Sequence, residues 1–225
     1  GTAAGHGEGG AKFADSARQG LGLPEEKFFV SEEVRSYFSS LKEQRKVNRQ
    51  AWDQTFAAWQ SANPEKAALL QSGISRELPA NLMESVQVFA EDAKVATRAA
   101  GSQIINDLAQ AYPLLISGSA DLHGSTRNYI NEGGNFGSGF DKTYAGKNLY
   151  FGIREHAMGS IMNGFAFHGL FKISGSTFLV FVDYFRSTLR VASLSELNRV
   201  SYILTHDSIG VGEDGPTHQP VETVS

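Results

Sequence analysis

The chain has 225 residues, of which 41% are hydrophobic and 20% charged, and its formal net charge is −4 at pH 7. This length predicts one large domain, or a domain with a tail, with enough apolar residues for a substantial core. The lack of a basic excess argues against a nucleic-acid partner. The longest apolar run, residues 178–182, is far too short to cross a membrane. Because cysteine is absent, disulfides, thiolate catalysis and cysteine-ligated metals are excluded.

The first third of the chain is predicted to be mainly helical. Ser31, followed by two glutamates, is a typical helix start, because a hydroxyl cap precedes acids in the first turn. Apolar residues recur at near-helical spacing over residues 34–59, which predicts a long helix ending near residue 62. The Asn-Pro pair at 63–64 starts a second helix, and Gly73 is expected to follow its last turn. We interpret this part as a connecting segment with an amphipathic packing face.

From residue 92 onward, short apolar strands alternate with helices. Helices are predicted over residues 93–111, 155–167 and 177–197, and strands over residues 114–118, 149–152 and 200–204. Continuous apolar strands of this kind are typical of a parallel sheet whose two faces are both covered. The sequence therefore predicts an α/β fold with a doubly wound, mostly parallel sheet and helices on both faces over residues 92–225. A helical linker segment over residues 1–91 precedes it.

Each of the three predicted strands leads into an ionisable side chain. Asp121 follows the first strand, Glu155 the second and His206 the third. Since ligands bind beyond the carboxyl ends of strands in open parallel sheets, these side chains are expected to face one site. Twelve of the 24 glycines lie between Gly118 and Gly175, which favours loops that face a ligand.

The segment at residues 206–218 combines two histidines with three carboxylates. Its spacing matches no metal-ligand pattern, so no metal ligand is assigned to it. On spacing alone, a metal site, a site for polyols and a plain polar turn all remain open.

Four segments of the chain have a recognisable combination of residues: GSADL at 118–122, FGIREHAMG at 151–159, TFLVFVDY at 177–184 and HDSIGVGEDGPTHQP at 206–220. Together they resemble the transketolase family. The segments follow the order of the family, the resemblance covers nearly the whole chain, and the last string is highly specific. The resemblance implies the end of a diphosphate-binding domain and a linker over residues 1–91. It implies most of a pyrimidine-binding domain, with the thiamin-diphosphate-binding fold, over residues 92–225.

The resemblance implies thiamin diphosphate as cofactor, bound where two subunits meet. Glu155 matches the family's glutamate that hydrogen-bonds the aminopyrimidine ring and helps that ring act as a base. The alternative is that Glu155 is only an acid at a helix start, stabilised by the helix dipole. Phe181 matches the aromatic residue that stacks on the ring, and Phe178 and Tyr184 extend this wall, although their spacing alone favours core packing. Asp121 is expected at the subunit interface beside the cofactor.

Transketolases act on sugar phosphates, and the resemblance implies which residues bind the phosphate group. Arg98, Ser125 and His206 match the family's phosphate contacts. A guanidinium fork suits phosphate geometry, while serine and histidine supply further hydrogen-bond donors. Without the resemblance, Arg98 reads as a solvated helix residue.

The resemblance also implies contacts to the rest of the substrate. His6 and His218 match histidines near the reacting carbonyl and hydroxyl groups, and Asp214 matches an aspartate that holds a substrate hydroxyl. His206 and His218 join Glu155 in the expected catalytic set. After His6 the chain reads GEGGAK, where the family more often has Gly-Ala-Pro-Leu-Gly, so the loop around His6 departs from the family pattern.

The implied activity is transfer of a two-carbon ketol unit between phosphorylated ketose donors and aldose acceptors, in the pentose phosphate pathway. In the family, the Gly-Asp-Gly…Asn segment that holds Mg²⁺ and the diphosphate lies upstream of the matched region, and a further phosphate-binding arginine lies downstream. The chain starts on Gly1, without an initiator methionine or a signal peptide. We expect a piece of a cytoplasmic enzyme that is inactive alone and is completed by a homodimer or a separate diphosphate-domain chain.

Two alternatives remain. Dihydroxyacetone synthase, which uses formaldehyde as acceptor, shares these motifs too closely to be separated. A non-catalytic dimerisation module of the same fold is the other possibility. The polar set of Glu155, Asp214 and His218 argues against that module, since dimerisation has no physical need for it.

Overall fold

The computed structural model describes residues 10–139 and 142–223, so His6 lies outside the described residues. The helices are α1 (Ala14–Gly20), α2 (Glu32–Ala62), α3 (Pro64–Ser75), α4 (Thr97–Ala111), α5 (His123–Thr126), α6 (Glu155–His168) and α7 (Arg186–Leu194). The strands are β1 (Leu115–Ser119), β2 (Asn135–Phe136), β3 (Lys142–Thr143), β4 (Asn148–Tyr150), β5 (Lys172–Phe178) and β6 (Val200–Thr205), with 3₁₀ helices at Ala11–Phe13, Leu82–Ser85 and Leu179–Tyr184. Two compact units, Gly1–Asn63 and Pro64–Ser225, divide the chain. The domain boundary at residues 91/92 stays a prediction.

The long helix α2 dominates the first unit and starts and ends where the sequence predicts. The Ser31 hydroxyl accepts a hydrogen bond from the Val34 backbone N–H at 3.3 Å, which caps the helix. Trp52, Phe56 and Trp59 stack along one side, with ring centroids 4.8 and 5.7 Å apart. These rings form the amphipathic stripe expected from the sequence.

Helix α3 runs past its predicted end. Gly73 does not follow the last turn but is buried within the helix. A Cβ atom at Gly73 would lie 2.6 Å from Leu170 Cδ1 and 3.0 Å from Leu114 Cδ1. The glycine is therefore explained by close packing rather than by a left-handed helix cap.

The second unit is built on a parallel sheet. Within the described residues this sheet has six strands in the order β3-β2-β4-β1-β5-β6, and its strand pairs are parallel. Strand β1 is central, with Ser117 aligned with Asn148 of β4 and with Ser174 of β5. The three predicted strands are present within one or two residues of their predicted bounds, and the helix predicted from residue 93 begins at Thr97.

Strand β5 is where the prediction is wrong. The pattern over residues 177–197 predicts one helix, whereas the structure has the end of β5, a 3₁₀ helix and α7 there. The strand reads KISGSTF, and its buried Ser174 and Ser176 satisfy their hydroxyls through hydrogen bonds to neighbouring segments. Because these core positions are polar, hydrophobic periodicity does not reveal the strand.

Helices cover both faces of the sheet. Successive strand residues point to opposite faces, so Leu115 and Ile116 of β1 enter different cores. Ile116 packs in one cluster with Met158 of α6, whereas Leu115 packs in another with Ile105 of α4. The predicted α/β fold is therefore confirmed. Among the described helices, none combines the length and the hydropathy needed for a membrane span.

Candidate functional site

Seven of the predicted site residues line two clefts at the carboxyl edge of the sheet. The glutamate cleft has a volume of about 500 Å³ and is lined by Ala120, Asp121, Leu122, Ile153, Glu155, Phe181, Tyr184 and His218. The arginine cleft has a volume of about 400 Å³, and its lining includes Thr97, Arg98, Thr126, Arg127, Thr205, His206 and Asp207. Parallel strands explain the common edge, because β1, β4, β5 and β6 all end on it.

Glu155 is the buried acid of the glutamate cleft. It opens helix α6 and is only 8% exposed. Its carboxylate has no hydrogen-bond or ion-pair partner among the described residues. The N-terminus of α6 favours a negative charge here, but this explains neither the burial nor the missing partner. Because Glu155 lines the cleft, its unpaired carboxylate can meet a hydrogen-bond donor from a ligand or another chain.

Aromatic rings form another part of the lining of this cleft. Phe181 and Tyr184 lie in the 3₁₀ helix Leu179–Tyr184 and line the glutamate cleft. Phe178 ends β5, is 4% exposed and does not line the cleft. Its ring stacks behind Phe181 with centroids 6.0 Å apart and planes 8° apart. The three residues therefore share a wall without sharing an α-helix, and Phe178 supports the wall from behind.

Asp121 sits in a turn that buried hydroxyls hold in place. Its φ of 63° lies in the left-handed region, which costs a non-glycine residue about 1 kcal/mol. The Ser119 hydroxyl accepts from the Leu122 N–H at 3.0 Å and donates to the Ser176 carbonyl at 3.1 Å. Thr126 Oγ1 lies 2.8 Å from Ser176 Oγ. This network ties the loop to β5 and fixes Asp121 at the cleft; sequence reasoning missed it, although Ser119 lies in the GSADL motif.

In the arginine cleft, Arg98 brings together the three residues predicted to bind phosphate. Its Nη1 atom donates to the Ser125 carbonyl at 3.1 Å and lies 3.1 Å from His206 Nε2. The three remaining N–H groups of Arg98 have no hydrogen-bond acceptor among the described residues, and the same holds for the Ser125 hydroxyl. These donors are available to an anion.

The ring of His206 is held on several sides. Its Nδ1 atom lies 2.8 Å from Thr205 Oγ1, and its ring stacks on Phe178 with centroids 3.7 Å apart and planes 26° apart. His206 itself has a φ of 54°, so the backbone turns sharply at the end of β6. Thr205 was not predicted as a site residue, although it directly precedes His206 in the sequence.

The charges around His206 favour its neutral form. Burial lowers the pKa of His206 below its ordinary value of 6.5, and the Arg98 guanidinium lowers that pKa further. Asp214 opposes this shift through its negative charge, as Asp207 does to a lesser extent, while His218 adds to the lowering. Asp214 is exposed and lines neither cleft. It therefore influences the site through its charge and not through a direct contact.

His218 lies on the glutamate cleft and faces the aromatic wall edge-on. Its ring centroid is 5.4 Å from that of Phe181 and 5.8 Å from that of Phe178. Its Nδ1 atom is 2.8 Å from Thr217 Oγ1, which leaves Nε2 without a protein partner among the described residues. Among all residues that the structure describes, no three histidine, aspartate or glutamate side chains are arranged to hold a metal ion.

Comparison with known proteins identifies the family. Residues 93–225 match the model for the transketolase pyrimidine binding domain, and residues 1–79 match the model for the transketolase thiamine diphosphate binding domain. The transketolase of Dictyostelium discoideum is 57% identical over 225 residues, which are 100% of this chain and 33% of that protein. The transketolase of Geobacillus stearothermophilus is 44% identical over 198 residues, 88% of this chain and 29% of that protein. The chain thus spans about a third of the length of these curated relatives.

Solved structures agree with this result. A transketolase mutant from Pichia stipitis in complex with xylulose 5-phosphate is 40% identical, with a TM-score of 0.81 over 92% of this chain and 31% of that one. Transketolase from Leishmania mexicana is 35% identical, with a TM-score of 0.82 over 92% of this chain and 30% of that one. The resemblance read from the sequence motifs is confirmed. The chain belongs to the transketolase family.

Proposed function

We propose that this chain supplies the pyrimidine-facing part of a transketolase active site. The enzyme would transfer a two-carbon ketol unit from a phosphorylated ketose to an aldose, as a step of the pentose phosphate pathway. The observation that carries the proposal is Glu155, a buried carboxylate without a described partner on a cleft walled by Phe181 and Tyr184. The match of residues 1–79 to a thiamine diphosphate binding domain supports the class of cofactor.

The glutamate cleft fits the pyrimidine part of thiamin diphosphate. A planar heterocycle needs a flat apolar wall and a few polar groups that meet its ring atoms. Phe181 and Tyr184 provide the wall, and the unpaired carboxylate of Glu155 provides the polar partner. When bound, thiamin diphosphate supplies the chemistry that breaks and forms a carbon–carbon bond next to a carbonyl group.

The residues of this chain would hold and move protons around the cofactor and the substrate. Glu155 would share a proton with a ring nitrogen, which is general acid–base catalysis from a fixed position. The wall around Phe181 would orient the ring and exclude water. His218 would hold a proton at a substrate oxygen through Nε2, because Thr217 engages Nδ1.

The arginine cleft would bind the phosphate of the sugar. Arg98 has three N–H groups without a described acceptor, while its Nη1 atom is held by the Ser125 carbonyl and lies next to His206. A guanidinium suits phosphate because its donors match the phosphate oxygens in pairs. Transketolases from Pichia stipitis have been solved with xylulose 5-phosphate and with sedoheptulose 7-phosphate, which supports phosphorylated substrates here. Asp214, which lines neither cleft, would hold a hydroxyl group of the substrate.

A second subunit would complete the site. Asp121 is exposed at the glutamate cleft, where a homodimer partner or a separate diphosphate-domain chain would contact it. Mg²⁺ would be bound with the diphosphate by residues outside this chain. The cytoplasmic location stays a prediction.

A chimera tests the proposed activity. In it, this chain replaces the matched third of the Dictyostelium discoideum transketolase, and the unmodified relative is the control. With thiamin diphosphate and Mg²⁺, we expect ketol transfer from xylulose 5-phosphate to ribose 5-phosphate. A preference for formaldehyde as acceptor would indicate dihydroxyacetone synthase. A folded chimera that binds the cofactor but transfers to neither acceptor would indicate a non-catalytic module.

A further inference from the structure

The two ring nitrogens of His206 meet partners of different chemistry. Nε2 lies 3.1 Å from Nη1 of Arg98, and Nδ1 lies 2.8 Å from Oγ1 of Thr205. A guanidinium group has N–H donors and no acceptor, whereas a hydroxyl group can donate or accept. The contact with Arg98 therefore requires Nε2 to be the acceptor, with its lone pair directed at the guanidinium.

This requirement fixes the tautomer of His206. A neutral imidazole whose Nε2 atom accepts must carry its proton on Nδ1, and the nearest acceptor for that proton is the Thr205 hydroxyl. Burial and the positive charge of Arg98 both lower the pKa of His206, which agrees with a neutral ring. The stack on Phe178 keeps the ring in this orientation.

We propose that Thr205 is a positioning residue of the arginine cleft: its hydroxyl accepts the Nδ1 proton of His206 and thereby keeps the Nε2 lone pair on Arg98. The same Nη1 atom also donates to the Ser125 carbonyl, so the guanidinium is held from two sides. Without the Thr205 hydroxyl, the tautomer with a proton on Nε2 gains population. In that form two donors face each other, and Arg98 loses one of the two contacts that aim its free N–H groups into the cleft.

The consequence for the substrate rests on the proposed transketolase function, whereas the tautomer does not. Thr205 would set the affinity for phosphorylated substrates without touching them. Thr217 forms the same kind of pair with His218 on the glutamate cleft, at 2.8 Å between Oγ1 and Nδ1. A substitution at Thr217 therefore serves as the matched control for the same substitution at Thr205.

The first test is nitrogen–hydrogen correlation NMR of the histidine rings in the isotope-labelled chain, above the ordinary histidine pKa of about 6.5. The signals of His206 among the six histidines are assigned by their loss in His206→Gln. We expect the Nδ1–H form at His206, a substantial Nε2–H fraction in Thr205→Val, and the original form in Thr205→Ser. Thr217→Val should leave the His206 signals unchanged. An Nε2–H ring in the unsubstituted chain, or the same tautomer in Thr205→Val, would overturn the proposal.

The second test uses kinetics of the chimera. Loss of one hydrogen bond predicts that Thr205→Val raises KM for ribose 5-phosphate about fivefold, while kcat changes less than about twofold. Thr205→Ser should restore KM, and KM for the unphosphorylated acceptor glycolaldehyde should not change. Equal effects on both acceptors would overturn the positioning role. If the unsubstituted chimera has no activity, the proposed function fails, and the NMR result still decides the tautomer.

Discussion

The two clefts at the carboxyl edge of the sheet differ in how their polar groups are satisfied. In the glutamate cleft, the carboxylate of the buried Glu155 shares the lining with aromatic rings and has no partner among the described residues. In the arginine cleft, Arg98 is already hydrogen-bonded to His206 and to the Ser125 carbonyl, and three of its N–H groups have no acceptor among the described residues. The glutamate cleft therefore needs a hydrogen-bond donor from an incoming group. The arginine cleft is already arranged to bind an anion.

This difference indicates that the two clefts at this edge of the sheet have different functions. An unpaired buried acid is suited to moving a proton, and a pre-organised cation is suited to holding a charged group in place. Phe178 contacts residues of both clefts, because its ring stacks on Phe181 and on His206. Variants in the two clefts should therefore affect different kinetic constants, and a variant of Phe178 should affect both.

The largest effect is expected for Glu155→Gln. The amide keeps the shape of the side chain but cannot share a proton, so kcat of the chimera should fall about 10²- to 10⁴-fold. The loss should be equal for ribose 5-phosphate and glycolaldehyde, because Glu155 lies outside the arginine cleft. Steady-state assays with both acceptors measure it, and Glu132→Gln, at an exposed glutamate, is the control. Near-normal turnover would contradict the assigned role.

A selective effect is expected for Arg98→Ala. Removing a charged hydrogen-bond donor should lower kcat/KM for ribose 5-phosphate about 10- to 100-fold. With glycolaldehyde the change should stay below about threefold, since no phosphate is present. The comparison of the two acceptors in the chimera provides the measurement. An equal loss with both would remove the distinction between the clefts.

A smaller effect, shared by both clefts, is expected for Phe178→Leu. Replacing the buried ring with a smaller apolar side chain should lower the free energy of unfolding by about 1 kcal/mol. The cofactor should bind more weakly because Phe181 loses its support, and KM for ribose 5-phosphate should rise because His206 loses its stack. Calorimetric titration with thiamin diphosphate and acceptor kinetics measure the two changes. A defect confined to one cleft would show that Phe178 does not connect them.

The last effect concerns pH, through His123, which begins the short helix α5 that contains Ser125. Burial lowers the pKa of His123 below its ordinary value of 6.5. The unfolded chain therefore takes up the proton first, and stability is lost as pH falls below about 6.5, by at most about 1.4 kcal/mol per pH unit. Urea unfolding should show a shallower acid decline in His123→Gln. His168→Gln, at an exposed histidine, should keep the original dependence of stability on pH. The same dependence in the unsubstituted protein and in both variants would refute the effect of His123.

Much of this architecture follows from local patterns. Ser31 with the acids after it predicts the start of α2, and the apolar runs before Asp121 and Glu155 predict β1 and β4. The rule that parallel strands end on one edge then predicts that Asp121, Glu155 and His206 lie near one another. Long-range geometry could not be predicted this way. Arg98 and His206 are 108 positions apart, and their contact depends on strand order and helix placement.

Strand β5 and Thr205 show two further reasons for failure. Two core positions of β5, Ser174 and Ser176, form hydrogen bonds that exist only in the folded state, so the apolar signal of the strand is interrupted there. The function of Thr205 depends on which nitrogen of His206 is protonated, and that depends on a distant arginine. Family motifs supplied the role of Glu155, whose position after a strand predicted only that it lies at the site.

The central claim is that Glu155 meets the pyrimidine ring of the cofactor. A crystal structure of the chimera with thiamin diphosphate tests it most directly. We predict a ring nitrogen within about 2.7–3.2 Å of a Glu155 carboxylate oxygen, with Phe181 stacked on the same ring. A ring bound elsewhere, or a Glu155 carboxylate facing water while the cofactor is bound, would contradict the account.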